Sequence, residues 1–82
     1  MPALFVLDVP EYAPLVAYAQ SQAGLTISSL DGYRKIEASD EIAIPRAATG
    51  MGQAVWFGAL VGGFEGAILE FSETRLAIGP DR

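Results

Sequence analysis

Residues 54–71 read AVWFGALVGGFEGAILEF, and the fold turns on how that stretch is read. It is apolar and rich in glycine, and the whole of residues 47–64 is uncharged. A membrane-spanning helix needs about 20 predominantly apolar residues. Here Gln53 and the glycines at 50, 52, 58, 62 and 63 dilute the hydrophobicity, and Glu65 closes the run. Gly58, Gly62 and Gly66 follow a GxxxGxxxG spacing, which on a helix lets two backbones touch. Each glycine costs a helix about 1 kcal/mol relative to alanine, so the spacing argues poorly for a helix pair. A dinucleotide-binding loop requires G-x-G-x-x-G. Gly50 and Gly52 begin that pattern, but Val55 stands at its closing position. A P-loop needs a Gly-Lys pair, and the only lysine in the chain is Lys35.

The reading that remains is a β-hairpin, AVWFGALV and FEGAILEF joined by Gly62-Gly63, a turn whose two residues are free to adopt φ > 0. Val55, Phe57, Ala59 and Val61 then share one strand face, and Trp56, Gly58 and Leu60 share the other. Both faces are apolar. One short helix covers only one of them, which leaves the second for another chain, most simply a second copy of this one.

Turn chemistry and periodicity lay out the rest. Residues 3–9, ALFVLDV, form an apolar run that reads as a buried strand. Pro10 and Pro14 break the chain, and Pro14 suits a first helical position. PLVAYAQSQA (14–23) is therefore a short helix, stopped by Gly24, with Leu15, Tyr18, Ala19 and Gln22 on one face. Residues 25–38, LTISSLDGYRKIEA, are two alternating runs around Asp31-Gly32, the signature of a type I′ hairpin. The turn pairs Leu30 with Tyr33, Ile27 with Ile36 and Leu25 with Ala38. Thr26 then meets Glu37 and Ser28 meets Lys35 on the polar face. Ser39-Asp40 makes a turn, and EIAIP (41–45) is a strand ended by Pro45. Residues 47–53 read as a loop, SET (72–74) as a turn, RLAI (75–78) as a last strand and GPDR (79–82) as a frayed tail. The expected fold is one small α+β domain over residues 1–82. It has an N-terminal strand, one short helix and then an antiparallel β-meander, with the helix packed on one face of a curved sheet.

Composition narrows function more than it defines it. With no cysteine there is no disulfide and no thiolate metal site, and with no histidine the commonest metal ligand and neutral-pH base are missing. No metal and no cofactor is expected, and no recognisable catalytic motif is present, which weighs against an enzyme. The net charge of −5, with Arg34-Lys35 the only adjacent basic pair, opposes binding to nucleic acid or to an anionic membrane surface. The N-terminal residues MPALFVLDVPEY lack a basic stretch, and Asp8 interrupts their apolar run, so they do not read as a signal peptide. The expected compartment is the cytoplasm, in keeping with a cysteine-free chain. A hydrophobic fraction of 51% in so short a chain favours burial between chains, and a homodimer is the expected state.

Five residues stand out as a candidate interface or pocket: Arg46, Met51, Trp56, Phe57 and Leu60. Arg46, at the border of the uncharged run, suits an anion or carboxylate clamp, or closes a strand at the surface. Trp56, Phe57 and Leu60 with Met51 suit the lining of an apolar pocket, or packing in the core or at an interface. The acids are scattered. Asp31 and Asp40-Glu41 are explained by turns, and Tyr12, Tyr18 and Tyr33 by packing with a wet hydroxyl. Two functions follow. One is a non-catalytic, self-associating interaction module that could serve as an accessory subunit of a larger enzyme or complex. The other is a binder of a small apolar ligand, or a cofactor-independent enzyme, with a pocket near Arg46, Met51 and Trp56.

Overall fold

A computed structural model describes residues 1–80; Asp81 and Arg82, in the tail expected to fray, lie outside the described residues. The fold is α+β, as the sequence implies, with seven strands paired antiparallel and three short helices among the described residues. The strands are divided between two sheets rather than laid out as one. β1 (Ala3–Leu7), β2 (Leu25–Leu30), β3 (Tyr33–Ala38) and β5 (Phe64–Glu65) form the first, in the order β2-β3-β1-β5. β4 (Ile42–Pro45), β6 (Ala67–Phe71) and β7 (Arg75–Gly79) form the second, in the order β4-β7-β6.

The Asp31-Gly32 hairpin has the register its turn dictates. Leu30 faces Tyr33, Ile27 faces Ile36 and Leu25 faces Ala38, while Thr26 and Ser28 face Glu37 and Lys35. Asp31 and Gly32 both have positive φ, 35° and 86°, as a type I′ turn demands. On the outer face Lys35 lies 3.4 Å from Glu37 and 5.6 Å from the ring centroid of Phe5. The inner face presents Leu4, Val6 and Ile36 to a core shared with Ile42 and Ile44 of β4 and Leu76 and Ile78 of β7.

Helix α1 (Ala13–Gln20) follows a single 3-10 turn at Pro10–Tyr12 and buries Leu15, Val16 and Ala19 against the first sheet. It stops three residues short of the expected end at Ala23. The Ser21 hydroxyl donates to the Tyr18 carbonyl at 2.6 Å, and its amide is shared between the Ala17 and Tyr18 carbonyls. A serine that bonds back to the preceding turn tightens the helix end and closes it.

The largest departure from the sequence reading lies in residues 46–62. The expected loop at 47–53 opens as α2 (Arg46–Thr49), and the expected strand AVWFGALV is not a strand. Its first half belongs to α3 (Gln53–Phe57), and residues 58–62 are turns. The physical reason is the spacing of the buried side chains. Val55, Trp56, Ala59 and Leu60 point inward and Ala54, Phe57 and Val61 outward, which is the i, i+3, i+4 stripe of a helical face. A short run apolar on every side satisfies both a strand and a helix period, and packing decides between them. The two dry strand faces that called for a second chain are therefore not a feature of this fold. FEGAILEF is extended as expected but is split by Gly66 into β5 and β6. Gly66 has φ +112°, and a Cβ there would collide with the Gly79 carbonyl oxygen.

Candidate functional site

The five residues singled out by the sequence divide into a buried node and a surface aromatic. Met51 and Trp56 both belong to the core, and the Trp56 side chain is 0% exposed within the protomer. The Trp56 indole N–H donates to the Ser72 carbonyl at 2.7 Å, and its ring lies 6.1 Å from that of Phe71. Leu60 is half-buried against the same core. Phe57, one residue from Trp56 on α3, turns outward at 47% exposure and meets Phe71 edge-on at 5.4 Å. Trp56 is therefore a core residue rather than part of an interface or pocket lining.

Arg46 sits between them and the β6–β7 turn, with its guanidinium committed to main-chain carbonyls. Nε donates to the Glu73 carbonyl and Nη1 to the Met51 carbonyl at 2.9 Å. Its own amide donates to the Thr74 carbonyl at 2.8 Å. Thr49 completes the knot, its hydroxyl donating to the Arg46 carbonyl at 2.7 Å and accepting from the Met51 amide at 3.1 Å. Residues 46–51 and the β6–β7 turn, distant in sequence, are thus tied by donors that an anion clamp would need free. The arrangement is that of a structural clasp, and it explains why an arginine stands there: one planar fork reaches two carbonyls at once.

Around the β6–β7 turn the charges pair locally. Arg75 contacts Glu70 at 2.9 Å and Glu41 at 3.3 Å. The Arg75 guanidinium and the Ser72 hydroxyl, both donating to the Glu70 carboxylate, hold its pKa below the ordinary 4.5. Among the described residues no three acidic side chains converge as metal ligands would, and no helix is long and apolar enough to cross a membrane.

Two features of the surface were not singled out from the sequence. The first is the pair of edge strands within residues 64–71. β5 is the last strand of one sheet and β6 the last of the other, so each has a strand neighbour on one side only among the described residues. Phe64, Ile68 and Leu69 on this edge are 40%, 38% and 58% exposed. The second is a cleft of about 370 Å³ between the β1–α1 connection and α1, with Arg34 of β3 in its lining. A smaller one of about 180 Å³ lies beside Gly24 and Glu41. Neither touches Arg46, Met51, Trp56, Phe57 or Leu60. The edge was hidden because β5 and β6 were read as the inner partner of a hairpin with residues 54–61. Arg34 was legible in principle: the hairpin register places it on the face of Ile36 and Ala38, opposite Ser29.

The chain matches no known protein-family model and no curated protein sequence.

Proposed function

We propose that the protein is a non-catalytic interaction module that pairs with a second copy of itself along the edge formed by residues 64–71. The observation that carries this reading is the edge itself, two consecutive terminal strands with three large apolar side chains exposed. Unpaired strand edges recruit further strands, and native proteins that do not use them cover or charge them. Here Ala67, Ile68 and Leu69 are exposed with no charge among them.

An antiparallel two-fold pairing centred on Gly66 suits this sequence. It sets Phe64 opposite Ile68 and Glu65 opposite Ala67 of the other copy, an aromatic–branched pair and no facing carboxylates. The bulge between Ile68 and Glu70 lies beyond the paired residues 64–68. A cysteine-free chain with a net charge of −5 suits such a module in the cytoplasm, as a homodimer or as an accessory subunit.

Light scattering coupled to size exclusion tests it. A dimer is expected at micromolar concentration, and Ala67→Glu, which faces Glu65 twice in the pairing, should weaken it by about tenfold or more. Adding Glu65→Lys should restore it. A wild type that is monomeric throughout, or a dimer indifferent to Ala67→Glu, defeats the proposal.

A further inference from the structure

Arg34 is a cation on the wrong side of its sheet. The register of β3 places it beside Val6 of β1 and Ser29 of β2, on the face that carries Leu4 and Ile36 into the core. Lys35, next to it, points outward and is paired with Glu37. Arg34 has no carboxylate within ion-pair distance among the described residues, and its Nε is buried with no hydrogen-bond partner. A guanidinium N–H removed from water without an acceptor is costly, and native structures leave few such groups unsatisfied. The other basic side chains of β3, α2 and β7 all have partners.

The space beside Arg34 has the character of a ligand site. The cleft of about 370 Å³ falls within the usual span of about 300–1,000 Å³ for small-molecule clefts. Its walls are apolar where Val9 and Pro10 oppose Ala13, Val16 and Ala17. Among the described residues Arg34 is the only basic group lining it and Asp8 the only acidic one. The geometry points to a small organic monocarboxylate with a compact apolar body as the ligand of this cleft. The carboxylate accepts from the outer Nη–H groups of Arg34, the accessible end of a guanidinium that has no carboxylate partner among the described residues; Nε itself is buried. The apolar body lies against Ala13, Val16 and Ala17. A second negative charge is disfavoured by Asp8 and by the net charge of −5, so dianions are selected against. This site is separate from the 64–71 edge and is unaffected by whether that edge pairs.

The test is a ¹H–¹⁵N NMR titration of the full-length chain with hexanoate, adipate and hexanamide. Hexanoate should move the Arg34 Nε–H resonance and the amides of Ala13 and Ala17 saturably. Adipate and hexanamide should bind about tenfold more weakly or worse. Arg34→Gln should lose at least about tenfold in hexanoate affinity. Ala17→Trp, at an exposed helix position, should block the cleft while leaving thermal unfolding close to wild type. The proposal is overturned if hexanoate gives no saturable shift at millimolar concentration, if hexanamide binds as well as hexanoate, or if the Ala17→Trp protein folds and binds undiminished.

Discussion

Replacing Trp56 by phenylalanine probes whether residues 53–57 are helical and inward-facing, because the loss follows from what the indole touches. The side chain is fully buried among Met51, Ala59 and Phe71 and donates to the Ser72 carbonyl at 2.7 Å. Phenylalanine keeps the aromatic body but removes the N–H, leaving the Ser72 carbonyl without that donor, at a cost of about 1–2 kcal/mol. Losing the pyrrole half of the ring opens a void among side chains that cannot fully close, for about 1–2 kcal/mol more. The sum is about 2–4 kcal/mol. A chain of this length has a total stability of about 4–12 kcal/mol, so the change removes at least about a sixth of it, and about a third at mid-range. At about 4–8 °C per kcal/mol for a domain of this size, the melting temperature should fall by roughly 8–32 °C. Urea denaturation followed by far-UV circular dichroism is the assay, since Trp56 is the only tryptophan and its fluorescence disappears with it. Phe57→Ala, one residue along and half exposed, is the control and should cost less than Trp56→Ala, for which about 3–5 kcal/mol is expected. A Trp56→Phe protein within about 0.5 kcal/mol of wild type would refute the packing described for α3.

Gly66→Ala should destabilise by about 2–3 kcal/mol, because φ is +112° and the new Cβ meets the Gly79 carbonyl. Gly50→Ala, at φ +73° with open space around it, should cost only about 1–2 kcal/mol; equal losses in chemical denaturation would count against the close β6–β7 approach. Arg46→Met should cost about 1–3 kcal/mol by stranding the Met51 and Glu73 carbonyls, and added carboxylates should not protect the wild type at that site; Arg46→Met unfolding at the wild-type urea midpoint refutes the clasp. Glu70 is held below 4.5 when folded, so its contribution to stability is complete above pH 4.5 and is lost as pH falls through the lower folded value. Glu70→Gln should therefore flatten the acid limb of a melting-temperature profile and leave its neutral part nearly unchanged. An acid limb identical to wild type excludes the Arg75 and Ser72 contacts as its cause.

How much of this was legible differs element by element. The Asp31-Gly32 hairpin was readable to the residue, because a two-residue turn and a period-two pattern are both local and each checks the other. The candidate site was legible in its membership but not in its role. Arg46, Met51 and Trp56 do come together, yet as a clasp and a core, since what a guanidinium or indole is bonded to depends on carbonyls 16 and 27 residues away. The helix of residues 53–57 was misread as a strand because its neighbours are apolar in every direction. Only the inward positions of Val55, Trp56, Ala59 and Leu60 select the helical period.

The sequence by itself determined the α+β class, the α1 start, the hairpin register and the absence of cysteine and histidine chemistry, all of which rest on short-range backbone preference or on composition. Tertiary structure decided which strands are neighbours: β1 inserted beside β3, β4 paired with β7 rather than β3, and the meander divided into two sheets. Those pairings join segments far apart in the chain, so they are selected by how the apolar faces fill one core rather than by any local turn. The same selection placed Arg34 beneath α1 without a partner among the described residues and left β5 and β6 each at an edge of its own sheet.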